Sequence, residues 1–216
     1  MAVWSTANGQ DDLVWYTAQN SGNGTWSINV PVSAHKTAGS YVAHMYITDK
    51  NGKAHFGGST GFTVEKPVAG KVTISNVDSG AGTFRADITG ASAKTGIAEV
   101  RVAVWSKSDQ SNMRWYVAQR QSNGSYYINV NLENHGYEYG TYYVHAYVKD
   151  NNGVQAVNTG SVQMTQPKVV MSATGNANET VFNIKASNVT YVGGVKGVRM
   201  AVWSTANGQD DLVWYT

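Results

Sequence analysis

GTYYVHAYVK, residues 140–149, alternates strictly: Tyr142, Val144, Ala146 and Val148 form one set, and Tyr143, His145, Tyr147 and Lys149 the other. Successive side chains of a strand point to opposite sides, so the stretch reads as a strand with an apolar inner face and an aromatic outer face. Residues 101–106 behave alike, with Val102 and Val104 on one side and Arg101, Ala103 and Trp105 on the other. Working outward, runs rich in Val, Ile, Tyr and Thr at 71–77, 83–89, 97–106, 113–119, 125–131 and 155–165 are bounded by Gly, Asn, Asp and Ser. Asn23-Gly24, Asn51-Gly52, Asn123-Gly124 and Asn152-Gly153 sit between such runs and accept the positive φ of type I′ hairpin turns. No stretch keeps a helical apolar period over three turns. Seven strands in 100 residues predict an all-β fold, an immunoglobulin-like β-sandwich, with a barrel as the alternative.

The chain repeats itself. MAVWSTANGQDDLVWYT at residues 1–17 recurs letter for letter at 200–216, and a diverged version, AVWSKSDQSNMRWYV, occupies 103–117. The remainder follows in step: His35 matches His135, Tyr41, His44 and Tyr46 match Tyr142, His145 and Tyr147, Phe84 matches Phe182, and Gly96 matches Gly194. Pro67 and Pro167 close two copies, so the period is about 100 residues and the sandwiches are expected in tandem. This divides the chain into 1–67, a repeat lacking its first strands, 68–167, a complete repeat, and 168–216, the opening part of another. Residues 168–216 would complete 18–67. Tandem copies drift, as the middle one does, so the identical ends point either to an engineered permutation, the reading favoured, or to a nearly identical array cut mid-domain. Half-sandwiches leave apolar faces and unpaired edges, so the tail of one chain is expected to complete the head of another, giving a head-to-tail filament, a ring or a swapped oligomer.

Composition excludes several classes of function. Sixteen Lys plus Arg against fourteen Asp plus Glu leave +2 in a chain only 14% charged, which disfavours nucleic acid as a partner. With no cysteine there are no disulfides, no thiolate zinc sites and no cysteine nucleophile. No apolar run has the length of a membrane helix, and no basic then apolar segment follows Met1, so neither a membrane partner nor a signal peptide is expected in these residues.

Candidate chemistry is sparse. Gly57-Gly58-Ser59-Thr60-Gly61 fits the serine-hydrolase pattern, but no helix follows it and the matching residues 158–161 have lost it. Asp49 and Asp150 open stretches like the start of a calcium loop that lack the later ligands, so hairpin turns are the better reading. Asp11-Asp12 becomes Ser111-Asn112 in the middle repeat and reads as a solvated turn. His35 and His135 are expected to order a loop. His44 and His145 are expected to pack on the outer face; with no recurring third ligand, neither a metal nor another cofactor is called for. Asn23, Asn123, Asn178 and Asn188 open N-glycosylation patterns that carry weight only in a eukaryotic secretory protein. Trp26 shares parity with Ile28 and Val30 and is expected in the core.

The aromatic outer face remains. Arg101, Trp105, His145 and Tyr147 in the middle repeat, with Trp4, His44 and Tyr46 in the first, form a candidate glycan-binding surface, because a ring face packs on sugar C–H groups while polar neighbours such as Asn129 hold hydroxyls. Tyr116 joins the candidates, although parity does not decide between it and Trp115. Cross-strand aromatic pairing that simply stiffens the sheet is the competing explanation.

Together, Val-Arg-x-Ala-Val-Trp-Ser, Asp-Asp-Leu-Val-Trp-Tyr-x-Ala, Asn-Gly-Thr-Trp and His-x-x-x-Gly-x-Tyr-x-x-His-x-Tyr-x-x-Asp resemble the group B streptococcal Bsp-like repeat of Gram-positive surface proteins and murein hydrolases. The resemblance implies an extracellular module, found in tandem beside catalytic domains and assisting attachment to the cell wall, with no catalysis of its own. The expected partner is a bacterial cell-wall glycan, peptidoglycan or a wall glycopolymer; the alternative is a structural stalk with no ligand. The middle repeat departs from the pattern at Ser111-Asn112-Met113-Arg114, which puts that turn in doubt as a shared ligand contact.

Overall fold

The computed structural model describes residues 1–176, 178 and 180–216; Glu179, in the middle of the Asn178 glycosylation pattern, lies outside the described residues. The head carries β1 (Ala2–Ser5), β2 (Val14–Trp15), β3 (Gln19–Gly22), β4 (Thr25–Ser27), β5 (Gly39–Thr48) and β6 (Ala54–Val64). The middle carries β7 (Lys71–Asp78), β8 (Thr83–Thr89), β9 (Ile97–Trp105), β10 (Arg114–Val117), β11 (Gln119–Arg120), β12 (Tyr126–Asn131), β13 (Gly140–Asp150) and β14 (Gln155–Met164). The tail carries β15 (Val170–Thr174), β16 (Asn183–Ser187), β17 (Met200–Val202) and β18 (Val213–Tyr215). The architecture is all-β and repeats along the chain.

In the middle repeat two four-stranded antiparallel sheets, β11-β12-β8-β7 and β10-β9-β13-β14, share one core. Phe84, Ile88, Ile128 and Val130 come from the first sheet, and Val102, Val104, Tyr142, Val144 and Val148 from the second, all buried. The inner set of 140–149 is therefore the predicted one. The predicted single strand at 113–119 differs: it breaks at Ala118, whose N–H donates to the Val100 carbonyl at 2.9 Å. Up to that point it pairs with β9, and beyond it Gln119 pairs with Tyr127 in the other sheet. The strand thus changes sheets, and what results is two open sheets rather than one closed seven-stranded arrangement.

The turns also differ from expectation. Only Asn23-Gly24 has positive φ at both residues, 51° and 74°. At 49–53 and 150–154 glycine alone is left-handed, and the preceding aspartate closes the loop. Asp150 Oδ1 accepts from the N–H groups of Asn152 and Val154 at 2.9 and 2.8 Å, and Asp49 Oδ1 does the same for Asn51 and Lys53. A carboxylate holding two backbone N–H groups is an Asx turn, which removes the need for a second positive φ.

Head and tail are built from the same parts, incompletely. The sheet β2-β1-β5-β6 reproduces β10-β9-β13-β14, but β3 and β4 pair only with each other, and among the described residues no strand of the tail pairs with the head. Trp26 is consequently 54% exposed, whereas its counterpart Tyr126 is 9% exposed, pairing in register with Ile88 of β8. The core assignment of Trp26 is thus overturned for this chain, since among the described residues β4 pairs with β3 alone and has no neighbour in the place that β8 takes beside β12. Counterparts of β7 and β8 stand in the tail as β15 and β16, a separate two-stranded sheet with Met171, Phe182 and Ile184 exposed.

Core and surface should separate cleanly in denaturant unfolding of the middle repeat. Ile128→Ala, at a fully packed position, is expected to cost about 2–5 kcal/mol, and Val157→Ala, half exposed on the outer face, less than about 0.5 kcal/mol.

Candidate functional site

The outer face of β10-β9-β13-β14 is set by register. Trp115, Ala103, His145 and Thr159 lie in one row across the sheet, and Val117, Arg101, Tyr147 and Val157 in the next. Ala103 is buried although it lies on the outer side, because the larger side chains flanking it in register cover its methyl group. Trp105 meets His145 edge-on at 4.6 Å between ring centroids and stacks with Tyr143 at 5.8 Å, while Trp115 tilts against Tyr147 at 5.3 Å. The Arg101 guanidinium carbon lies 5.3 Å from the Trp115 ring centroid, within cation–π range, with Glu99 at 3.5 Å from its Nε. Burial against these rings pushes the His145 pKa below its ordinary value, which favours a neutral imidazole.

The head repeats the arrangement. Ala2 is paired in register with both Trp15 and His44, Trp4 meets His44 edge-on at 4.7 Å, and Trp15 tilts against Tyr46 at 5.4 Å. Phe56 adds a further ring, 5.7 Å from Tyr46. Of the residues singled out from sequence, Arg101, Trp105, His145 and Tyr147 come together on one face, and Trp4, His44 and Tyr46 on the other copy of it. Trp4 and Trp105 are each only 8% exposed, so they support the face more than they offer a ring to solvent. Trp15 at 63% and Trp115 at 50% make that offer. Neither was a candidate from sequence. Asn129 sits on β12, in the opposite sheet, and takes no part in this face.

Tyr116 turns inward. Its hydroxyl lies 2.8 Å from His135 Nε2, and His135 Nδ1 lies 2.9 Å from the Asn112 carbonyl. A carbonyl only accepts, so Nδ1 carries the proton and Nε2 accepts from the tyrosine O–H. Burial, the main cause, lowers the His135 pKa. Tyr142 closes the site edge-on at 5.3 Å and donates to the Glu138 carbonyl at 2.8 Å. The head has the same clamp: Tyr16 Oη at 3.0 Å from His35 Nε2, the Asp12 carbonyl at 3.0 Å from Nδ1, and Tyr41 donating to the Thr37 carbonyl at 2.8 Å. Tyrosine and histidine are 19 residues apart in both copies, but the tryptophans are equally regular, one residue further away, so spacing carries no signal that Tyr116 belongs inside and Trp115 outside.

The doubtful turn at 111–114 resolves the same way. Asn112 Oδ1 accepts from the Ser106 and Lys107 N–H groups at 3.1 and 3.2 Å, Asp12 Oδ1 from Ser5 at 2.8 Å, and Asp211 Oδ1 from Ser204 at 2.9 Å. Asp and Asn share the acceptor oxygen that closes this loop, so Asp12 is a structural tie rather than a merely solvated residue. Ser59 lies within β6, opposite His44 in register, and not at a strand-to-helix turn. His135 faces the interior and His145 the outer side, so the two do not converge.

Residues 1–62, 73–162 and 172–216 each match the GBS Bsp-like repeat. The chain belongs to that family. The Bsp-like repeat is a non-catalytic, extracellular cell-surface module. Among solved structures the chain is similar to a polysaccharide deacetylase from Bacillus cereus, at 12% identity and TM-score 0.37, covering 50% of this chain and 31% of that one. A tetra-tandem repeat in the extending region of a large adhesion protein aligns at 18% identity and TM-score 0.34, over 89% of this chain and 55% of that one. A 1.5-MDa bacterial ice-binding adhesin aligns at 22% identity and TM-score 0.34, over 75% and 51%. The chain therefore spans less than two thirds of each of those chains. No curated protein matches it.

The clamp predicts both a mutational and a pH effect. Tyr116→Phe leaves His135 Nε2 without its donor and should cost about 1 kcal/mol in unfolding free energy. Because the folded His135 pKa lies below its ordinary 6.5, the unfolded chain binds more protons in the window just beneath that value. The stability present above 6.5 is lost as pH falls toward the folded pKa, and His135→Gln should flatten that slope in thermal melts.

Proposed function

We propose that the Bsp-like repeats of this chain bind a bacterial cell-wall glycan, peptidoglycan or a wall glycopolymer, through the outer faces built around Trp115 and Trp15. The supporting observation is the recurrence of one geometry in two diverged copies: tryptophan against tyrosine at 5.3 and 5.4 Å, and tryptophan against histidine at 4.6 and 4.7 Å. Exposed rings pack on sugar C–H faces, while Arg101, His145 and Tyr147 supply donors and an acceptor around them. The competing reading, a stalk without a ligand, is favoured by the near-complete burial of Trp4 and Trp105, which stiffens the sheet whatever the face binds.

Retention on purified Gram-positive walls separates the two. Trp115→Ala combined with Trp15→Ala is expected to lower retention at least about tenfold, equivalent to about 1.4 kcal/mol, with Arg101→Ala, Tyr147→Ala and Tyr46→Ala each weakening it less. Equal retention of wild type and the double variant removes the site, and no retention at all favours the stalk.

The division at 67 and 167 into one complete immunoglobulin-like sandwich and two parts of another belongs to the same proposal, as does self-association of the 216-residue chain. What supports association is the partly uncovered inner side of the head, where Trp26 and Ile47 are exposed although Val3 and Tyr41 are buried, and the exposed β15–β16 hairpin in the tail, the counterpart of the hairpin that covers that face in the middle repeat. Light scattering over about a hundredfold concentration range should show species growing with concentration, as linked hydrophobic contacts do under mass action. Deleting 168–199 should weaken the growth, deleting 1–17 should change it little, and a strictly monomeric wild type would refute the association.

A further inference from the structure

We propose that one end of the middle repeat is a socket for the following repeat, and that the residue at position 192, or 94 in the preceding copy, decides whether a joint between repeats is fixed or hinged. Val192 belongs to the tail but is only 5% exposed and forms part of the middle repeat's core. Its side chain lies over Gly82, where a Cβ would come within 2.1 Å of Val192 Cγ2 and 3.4 Å of Leu132 Cβ. Glycine is required there twice over, for the space and for a φ of +69°. The Val192 N–H donates to Tyr139 Oη at 3.1 Å, and that hydroxyl donates to the Ser79 carbonyl at 3.1 Å, tying the incoming segment to the β7–β8 loop. Tyr191 meets Tyr139 edge-on at 5.3 Å, and Gly193 packs so closely on the Tyr137 ring that a Cβ would lie 2.7 Å from it.

Aligning the repeats on Phe84 with Phe182 and Gly96 with Gly194 puts Lys94 where the tail has Val192, and Thr180 where the socket has Gly82. Lys94 reaches back across the preceding joint to an ion pair with Glu65, both side chains largely exposed. A dry contact with a buried valine resists separation through lost burial at every displacement, whereas an exposed ion pair is worth little and is screened by salt. The exposed Lys36 side chain also lies beside Gly153 across that first joint, but among the described residues no buried apolar side chain takes the place of Val192 there, so the two joints of one chain differ in kind. Thr180 at the socket position fits the same pattern, since a hairpin bearing a Cβ there has no room for an incoming valine. This inference needs no ligand and is independent of the glycan reading.

The absence of native cysteine allows clean spin labelling of the full chain. Label pairs at Thr141→Cys with Lys185→Cys, across the second joint, and at Thr63→Cys with Gln155→Cys, across the first, are placed on exposed positions. Dipolar distance distributions are recorded with excess unlabelled chain, so that only intrachain distances contribute. The second joint should give a narrow distribution unchanged by about 0.5 M salt, a concentration at which screening acts within a few ångströms, and the first a broad one that widens further. Val192→Lys should widen the second to resemble the first. Val192→Ala should widen it less and lower the unfolding midpoint of the middle repeat by about 5 °C. Near-UV circular dichroism establishes that the middle repeat stays folded in both variants. A second joint already broad in the wild type, or one that stays narrow in Val192→Lys with the fold intact, overturns the proposal.

Discussion

The two-residue periodicity of β9 and β13 ties the core to the outer face. Each inward Val102, Val104, Val144 or Val148 fixes which way its neighbour points, so the register that buries the core also aligns Trp105, His145, Tyr147 and Arg101 on the other side. A slip of one residue would exchange the two sets. The aromatic face is therefore as well specified as the hydrophobic core. Ala103 has its own part in this. Placed in register between Trp115 and His145, it leaves the space over which flanking rings close, and Ala2 repeats the role in the head.

A second constraint acts at the end of the sheet. The tyrosine of β10 must reach a buried histidine from the 132–135 turn, and the histidine must in turn reach the backbone of the 107–113 loop. Both ring nitrogens are thereby used, and the imidazole is held neutral in one tautomer. Tyr116 cannot satisfy this clamp and face solvent. Its inward turn sends Trp115 outward, so a buried polar network chooses which aromatic ring the surface presents. That explains why Asp12 and Asn112 interchange: the network asks for a side-chain oxygen that accepts a backbone N–H, which either residue provides, and for a backbone carbonyl, which each has in any case.

Much of the fold was legible in the sequence because alternation is a local signal. Six of the seven runs in the middle repeat lie within a residue or two of an observed strand, the seventh being split into β10 and β11, and the inner set of β13 is the predicted one. The crossing at Ala118 was not legible, since a strand that leaves one sheet for another keeps its composition and its alternation. The Asx turns at Asp49 and Asp150 were missed because Asn-Gly alone suggests a type I′ turn, and the carboxylate that removes the need for it stands two residues earlier. Trp26 was misassigned for a different reason: parity tells which side a residue faces, not whether the strands covering that side are present. At the candidate site, Trp105 and Trp4 were readable as outward but not as covered, because their burial comes from neighbours one strand away.

A flat aromatic face suits a polymer better than a small ligand. On the proposed glycan reading, an open face would bury a modest part of any one sugar residue, so a single face would bind weakly. Repetition compensates. On the same proposal, two faces on repeats of one chain would turn the second contact with a long glycan into an intramolecular event, and the gain would depend on how well the joint between them holds the faces to the spacing of the polymer. A fixed joint raises the effective concentration where the spacing matches and forfeits it where it does not, whereas a hinge accepts many spacings at a lower gain. An array that alternates Val192-type and Lys94-type joints would combine pairs of rigidly matched faces with freedom between the pairs.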